Sequence, residues 1–139
     1  MADSLDRAAR RRLMSRVRVR DTAPELELRQ ALWAAGVRGY RLHVKRLPGK
    51  PDVAFIGGKL AVFVDGAFWH GHADYYHGQS GPFWDAKIQA NRERDARVDA
   101  QLAELGWEVL RLWDFEVEKD AAGCAARVAA ALERCRARS

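Results

Sequence analysis

The stretch "PDVAFIGGKLAVFVD", residues 51–65, consists of two apolar runs joined by two glycines. This pattern predicts a β-hairpin, because a two-residue glycine connection is typical of a tight turn between strands. Both runs are apolar on both faces, which predicts helices on both sides of the sheet. If Gly57 and Gly58 are the turn residues, the register places Asp52 opposite Phe63.

The hairpin brings two carboxylates together at one of its ends. Side chains alternate along a strand, so Asp65 shares a face with Asp52 as its diagonal neighbour, about 7–8 Å away. The main-chain carbonyl of Val64 lies on the rung between them. Two carboxylates and a carbonyl oxygen form a ligand set that Mg²⁺ favours, which predicts a magnesium site. The alternative is that both aspartates are exposed strand ends that bind nothing.

The residues after the hairpin, "GAFWHGH" at 66–72, add histidine and two large aromatic side chains. His70 can act as a general base or acid because its pKa lies near neutrality, or it can satisfy a local hydrogen bond. Phe68 and Trp69, together with Trp84, can stack between DNA bases, or they can fill the core.

The flanking sequence completes a single α/β domain. Residues 22–36 predict a helix that starts at a capping box formed by Thr22 and Glu25. The remaining pattern predicts a strand at 40–46, a long helix at 84–105, a strand at 107–113 and a final helix at 117–136. Lys87 and Asn91 share one face of the long helix, where they contact DNA or only solvent.

Composition and charge indicate an anionic partner. The chain has 139 residues and a net charge of +5, and residues 1–20 contain seven arginines against two aspartates. We therefore expect a basic, DNA-contacting arm at 1–20 followed by one domain at 21–139; the alternative is an arm that is only solvated. Cys124 and Cys135 are expected to be buried, reduced thiols. Without a signal peptide or a long apolar span, a cytoplasmic, nucleoid-associated protein is expected.

Five segments resemble the very short patch repair (Vsr) endonuclease family. They are "MSRVRVRDTAPE", "LPGKPDVAF", "AVFVDGAFWHGH", "FWDAKIQANRERD" and "LGWEVLRLWD", and they follow the family order across most of the chain. The resemblance implies a restriction-endonuclease-like α/β fold of the PD-(D/E)xK type, with a mixed four-stranded sheet. It also implies Mg²⁺-dependent hydrolysis of one DNA strand, 5′ to the thymine of a T:G mismatch.

The resemblance assigns roles by position. It implies that Asp52 is the essential metal ligand beside the Val64 main-chain oxygen, and that His70 is the catalytic histidine. It places Glu25 near His70 as a helper, although a capping-box role explains Glu25 equally well. The implied DNA contacts are the aromatics Phe68, Trp69 and Trp84, then Met14 from the other groove, and Lys87 and Asn91 at the mismatched pair. Arg16, Arg20 and Lys50 are added as basic contacts to DNA.

This chain departs from the family pattern in two places. Well-known members hold a structural zinc with three cysteines and one histidine; here His72 remains, and the cysteine positions are Ala67, Asp74 and Phe115. We expect no structural zinc, with packing by Phe115 in its place. Asp65 stands where a second histidine is usual, as in a related group of small predicted nucleases, so we expect it to act as a further metal ligand. Because no lysine follows in the D-x-K manner, His70 or a metal-bound water must carry the proton.

Two alternatives to T:G mismatch repair stay open. One is a nicking enzyme with a different target, in phage defence or on another DNA structure. The other is a DNA-binding module without catalysis, which the acidic cluster argues against. The expected partners are double-stranded DNA and mismatch-repair proteins, with no membrane association and a monomeric state.

Overall fold

The computed structural model describes residues 22–67, 70–72 and 81–138. Its elements are α1 (Ala23–Ala34), β1 (Arg41–Leu42), β2 (Val53–Phe55), β3 (Leu60–Asp65), α2 (Pro82–Glu104), β4 (Glu108–Trp113), α3 (Asp114–Lys119) and α4 (Ala121–Arg138). The strands form one sheet in the order β1-β2-β3-β4. The first two pairs are antiparallel, and β3 and β4 are parallel. The predicted mixed four-stranded sheet is therefore confirmed.

The central hairpin has the predicted register but a different turn. Val53 pairs with Val62 and Phe55 with Leu60, which is the register expected from two glycine turn residues. The left-handed conformation belongs to Lys59, with φ of 58°, rather than to a glycine. Its carbonyl accepts a hydrogen bond from the Glu108 amide at 2.9 Å, which ties the turn to β4. The turn therefore also fixes where β4 begins.

Gly58 is required by packing rather than by backbone conformation. A Cβ atom at this position would lie 2.9 Å from Cδ1 of Leu132 on α4. That distance is too short for two carbons, so a side chain here would require the Leu132 side chain to shift.

Two predicted elements have different bounds. The predicted strand at 40–46 is reduced to β1, because His43 adopts φ of 50° and the chain then turns. The predicted final helix is two helices, α3 and α4, separated at Asp120. A carboxylate oxygen of Asp120 accepts a hydrogen bond from the Gly123 amide at 2.9 Å, so this residue caps the start of α4.

Helices cover both faces of the sheet, as predicted. On one face α1, α3 and α4 pack against the strands around a buried cluster that includes Leu28, Val62, Leu112, Val117 and Val128. On the other face, α2 contributes a smaller cluster of Ala61, Phe63, Val98 and Leu102. Both cysteines, Cys124 and Cys135, are free, buried thiols on α4, which confirms their predicted state.

The parallel pair positions the site. β3 and β4 run together to Asp65 and Trp113, which are register partners at the same edge of the sheet. Residues 66, 67 and 70–72 follow at this edge, and α2 crosses the face beneath it. None of the helices in the described part of the chain is long and apolar enough to cross a membrane.

Candidate active site

Asp52 lies just before β2 and joins a group that we call the Asp52 cluster, made of Glu25, His43 and Asp52. Its Oδ2 accepts a hydrogen bond from the Val64 amide at 2.7 Å. Nε2 of His43 lies 3.7 Å from Oε2 of Glu25, and Nδ1 of His43 lies 4.0 Å from Oδ1 of Asp52. Three segments distant in sequence therefore meet at one point.

Glu25 faces inward from the first turn of α1. It is only 6% exposed. Thr22 is the N-cap residue of α1 but makes no side-chain cap hydrogen bond, so the predicted reciprocal capping box is not formed. The carboxylate is instead directed at His43. Glu25 therefore lies beside His43 and Asp52, and its predicted role as a helper of His70 stays a prediction.

The Asp52 cluster has the chemistry of a cation site. Burial raises the pKa of Asp52 to about 7, against the Val64 hydrogen bond that lowers it, and the charges of Glu25 and Asp65 raise it further. One ligand atom from each cluster residue lies within 4.8 Å of the others. Two buried carboxylates so close together are stabilised by a divalent cation, so these residues fit a metal ion.

A second group, the Asp65 cluster, consists of Asp65, His70 and Asp95, whose ligand atoms also lie within 4.8 Å of one another. His70 donates from Nδ1 to Oδ2 of Asp95 at 2.5 Å, and its Nε2 lies 3.9 Å from Oδ1 of Asp65. Burial alone would lower the pKa of His70, but the Asp95 hydrogen bond and the two carboxylate charges raise it. This arrangement holds an imidazole ready for proton transfer.

The two aspartates of the hairpin have different direct partners. Asp52 faces Glu25 and His43, whereas Asp65 faces His70 and the guanidinium of Arg111. They remain neighbours, because the charge of Asp65 contributes to raising the pKa of Asp52. The predicted ligand set of Asp52, Val64 and Asp65 stays a prediction.

Three residues of these clusters and their contacts were not predicted from the sequence: Asp95, Arg111 and His43. Asp95 falls among the apolar positions of α2, and Arg111 interrupts the otherwise apolar run of β4. A charged residue at a buried position is a usable signal for a polar partner. His43 gave no such signal, because its left-handed backbone conformation was not predicted.

Only some of the predicted DNA-contacting residues lie within the described part of the chain. Trp84, Lys87 and Asn91 lie on α2, the helix that also carries Asp95, and Lys87 is exposed. Lys50 adopts φ of 51° two residues before Asp52. The predicted arm at 1–20 and the predicted contacts Met14, Arg16, Arg20, Phe68 and Trp69 lie outside the described residues.

Aromatic rings surround the histidine that the resemblance assigns to a zinc site. The His72 ring packs edge-on against Trp113 at 4.8 Å and against Phe115 at 4.9 Å between centroids. The His72 amide also donates to the Ala67 carbonyl at 2.8 Å. Phe115 thus lies against His72, where packing was expected. The loss of structural zinc stays a prediction.

The mixed four-stranded sheet with helices on both faces fits the restriction-endonuclease-like fold, and its two histidine–carboxylate clusters could hold a divalent metal. The comparisons agree with this class. The model of the family "DNA mismatch endonuclease Vsr" matches residues 2–76.

Curated relatives match over more of the chain. The type II nicking enzyme V.XorIIP of Xanthomonas oryzae pv. oryzae is 45% identical over 121 residues, covering 84% of this chain and 88% of that protein. V.NmeDIP of Neisseria meningitidis serogroup C is 41% identical over 131 residues, covering 91% and 87%. The DNA mismatch endonuclease Vsr of Escherichia coli K12 is 38% identical over 117 residues, covering 82% and 74%. This chain therefore belongs to the Vsr family of DNA endonucleases.

Proposed function

We propose that this endonuclease nicks one strand of duplex DNA at T:G mismatches in an Mg²⁺-dependent reaction. The observation that carries the proposal is the pair of histidine–carboxylate clusters at one edge of the sheet, in a chain of the Vsr family. One cluster fits a metal ion, and the other holds a histidine suited to proton transfer.

The Asp52 cluster is the proposed metal centre. The carboxylates of Asp52 and Glu25 and the main-chain oxygen of Val64 would supply the oxygen ligands that Mg²⁺ prefers. His43 lies between the two carboxylates and can orient them. Bound there, the ion would supply positive charge that polarises a phosphate and favours ionisation of water. The expected role of Asp65 as a further ligand is not part of this proposal, because the Asp65 carboxylate lies 3.0 Å from Nη1 of Arg111.

His70 is the proposed proton-transfer residue. Its Nδ1 is engaged by Asp95, so Nε2 is the ring atom that exchanges a proton. Two roles stay open: removal of a proton from the attacking water, or donation of one to the leaving oxygen. In either role Asp95 fixes the ring orientation and stabilises the charged imidazole.

The DNA would lie across α2 and the strand edge. Lys87 and Asn91 are one helical turn apart on the helix that carries Asp95. We propose that they touch the nucleotides next to the site. Trp84 begins the same helix and packs against Phe83 at 5.0 Å between ring centroids. We propose that Trp84 joins Phe68 and Trp69 in opening the base stack, at about 1–3 kcal/mol per stacked base.

The predicted basic arm at 1–20 is proposed to add further contacts to DNA. Met14, Arg16 and Arg20, with Lys50 beside Asp52, are proposed to contact the duplex, mostly at phosphates. A monomer suffices for cleavage of one strand, so we propose a monomeric enzyme that can act together with mismatch-repair proteins.

The decisive experiment is a nicking assay with end-labelled duplexes that differ in a single T:G pair. The full-length protein is incubated with Mg²⁺ or with EDTA. We expect nicking of the T:G duplex only, and only with Mg²⁺. Equal nicking of the matched duplex would reject mismatch recognition and favour a nicking enzyme with another target. Binding without cleavage of either duplex would reject the catalytic proposal.

A further inference from the structure

Arg111 places a positive charge in the middle of a half-buried strand. It lies on β4 opposite Phe63 of β3, and its guanidinium carbon lies 4.2 Å from the centroid of the Phe63 ring. Only 21% of its side chain is exposed. A buried charge is costly unless it is paired and hydrogen-bonded, so the partners of Arg111 should explain its position.

The guanidinium joins three carboxylates from two elements. Nη1 donates to both carboxylate oxygens of Asp65, at 3.0 and 3.2 Å. Nε and Nη2 donate to Oδ1 of Asp99 at 3.0 and 2.7 Å. Nη1 also lies 3.7 Å from Oδ1 of Asp95. Arg111 therefore ties the end of β3 to two successive turns of α2.

Arg111 also faces the carboxylate of Asp95. One oxygen of the Asp95 carboxylate accepts the hydrogen bond from His70, and the other oxygen faces Arg111. The guanidinium thus restrains rotation of the carboxylate that holds the imidazole. A histidine ring is commonly oriented by a carboxylate that is itself held by another side chain. Here Asp95 would be the carboxylate and Arg111 the side chain that holds it.

The guanidinium stands where a metal ion would otherwise fit. Asp65, His70 and Asp95 have the spacing of a cation site. Arg111 already lies against two of these carboxylates, and its charge is permanent. A divalent ion entering this cluster would meet a like charge and would compete for the same oxygens. The Asp52 cluster is held differently, because Asp52 is engaged by the Val64 amide.

We propose that Arg111 is a positioning residue that supplies a built-in cation to the Asp65 cluster and holds His70 in place, so that the enzyme uses one divalent ion, at the Asp52 cluster. This inference rests on the proposed metal-dependent nicking. It also assigns Asp65 as a partner of Arg111 rather than as a metal ligand.

The first test counts metal ions with Mn²⁺ as the probe. Electron paramagnetic resonance measures free Mn²⁺ during titration of the full-length protein without DNA, so the count does not depend on activity. We expect one Mn²⁺ per chain in the wild type and none in Asp52→Asn. Arg111→Gln should gain a second ion, because the Asp65 cluster loses its cation. Any wild-type count other than one would overturn the single-metal assignment.

The second test follows His70 itself. Long-range ¹H–¹⁵N correlation spectra report the tautomer and hydrogen bonding of the imidazole. We expect Arg111→Gln to change the His70 signals and to lower the nicking rate roughly 10–100-fold. Unchanged His70 signals in a folded Arg111→Gln protein would overturn the positioning role. Arg134→Gln is the matched control, because Arg134 is exposed and pairs with Glu108 on the same strand.

Chemical rescue distinguishes the loss of the Arg111 charge from a folding defect of the variant. Adding millimolar guanidinium ion to Arg111→Ala should restore nicking and the wild-type His70 signals, whereas urea at the same concentration should not. Rescue by both compounds, or by neither when the variant is folded, would count against a built-in cation. Absence of nicking by the wild type would reject the proposed function alone, because the Mn²⁺ count and the His70 signals are measured independently.

Discussion

The two clusters contain the same chemical groups and differ in the contacts that compensate their negative charge. Each has two carboxylates and one histidine within 4.8 Å. In the Asp65 cluster, the guanidinium of Arg111 binds Asp65 and faces Asp95. In the Asp52 cluster, the contact that favours the charged form of Asp52 is the hydrogen bond from the Val64 amide. A backbone dipole compensates a carboxylate charge less than a full positive charge does.

The pKa shifts of the carboxylates show how far each charge is compensated. Burial raises the pKa of Asp52 to about 7, with Glu25 adding to the shift. For Asp95, burial alone would raise the pKa, but the hydrogen bond from His70 and the charges of His70 and Arg111 lower it. Burial also raises the pKa of Asp65, and the charges of His70 and Arg111 oppose that shift without reversing it. Within the Asp65 cluster, the net pKa shift is therefore downward for Asp95 and upward for Asp65.

The largest expected effect comes from removing the carboxylate of the Asp52 cluster. Asp52→Asn should lower the nicking rate by more than about 10³-fold, beyond the loss of a single hydrogen-bond donor in an active site. DNA affinity should stay within a few fold, measured by fluorescence anisotropy. Glu118→Gln, an exposed carboxylate on α3, is the control. Nicking by Asp52→Asn near the wild-type rate would show that the metal is held elsewhere.

The same substitution should remove a pH effect on stability. A carboxyl whose folded pKa is raised from 3.8 to about 7 contributes stability at low pH that is lost as pH rises through about 7. The loss amounts to at most about 4 kcal/mol in metal-free buffer. Urea unfolding in EDTA between about pH 4 and pH 8 should show this decline for the wild type relative to Asp52→Asn.

Binding of Mg²⁺ should also change the free energy of unfolding. Mg²⁺ should restore the stability of the wild type near pH 8, because it binds the ionised carboxylates of the folded state. It should have little effect on Asp52→Asn. Parallel pH profiles for the two proteins in EDTA would contradict the raised pKa of Asp52.

An intermediate effect is expected from the inner carboxylate of the Asp65 cluster. Asp95→Asn should lower the nicking rate about a hundredfold, because the imidazole loses its charged partner and its fixed orientation. Single-turnover nicking under saturating enzyme measures the chemical step directly. Glu104→Gln, exposed near the end of the same helix, should be neutral. A rate like that of the wild type would mean that His70 needs no carboxylate partner.

Local sequence patterns predicted more of the fold than of the candidate site. The hairpin register followed from a two-residue spacing and strand alternation, and the helices followed from apolar periodicity. These signals are short-range. The parallel pairing of β3 with β4, which puts Arg111 opposite Phe63, joins residues separated by all of α2. No sequence rule gives that register, so Arg111 could not be assigned to Asp65.

The composition of the Asp52 cluster could also be predicted only in part from the sequence. Asp52 was recognised from the hairpin and from the family resemblance, whereas its neighbour His43 was expected in a regular strand. His43 instead takes φ of 50°, which ends β1 and turns the imidazole towards Glu25 and Asp52. A single left-handed residue thus decided the composition of the cluster, and alternation along a strand does not predict such a residue.

The smallest expected effect comes from the outer partner of Arg111. The Asp99 side chain is 44% exposed, so its ion pair with Arg111 is partly screened by solvent. Asp99→Asn should raise the activation free energy of nicking by about 1 kcal/mol, which corresponds to roughly a fivefold lower nicking rate. Combined with Arg111→Gln it should add almost nothing, since both changes act through one guanidinium. A loss as large as that of Asp95→Asn would place Asp99 inside the proton-transfer machinery, and the Asp65 cluster would then contain a third carboxylate that the Asp52 cluster lacks.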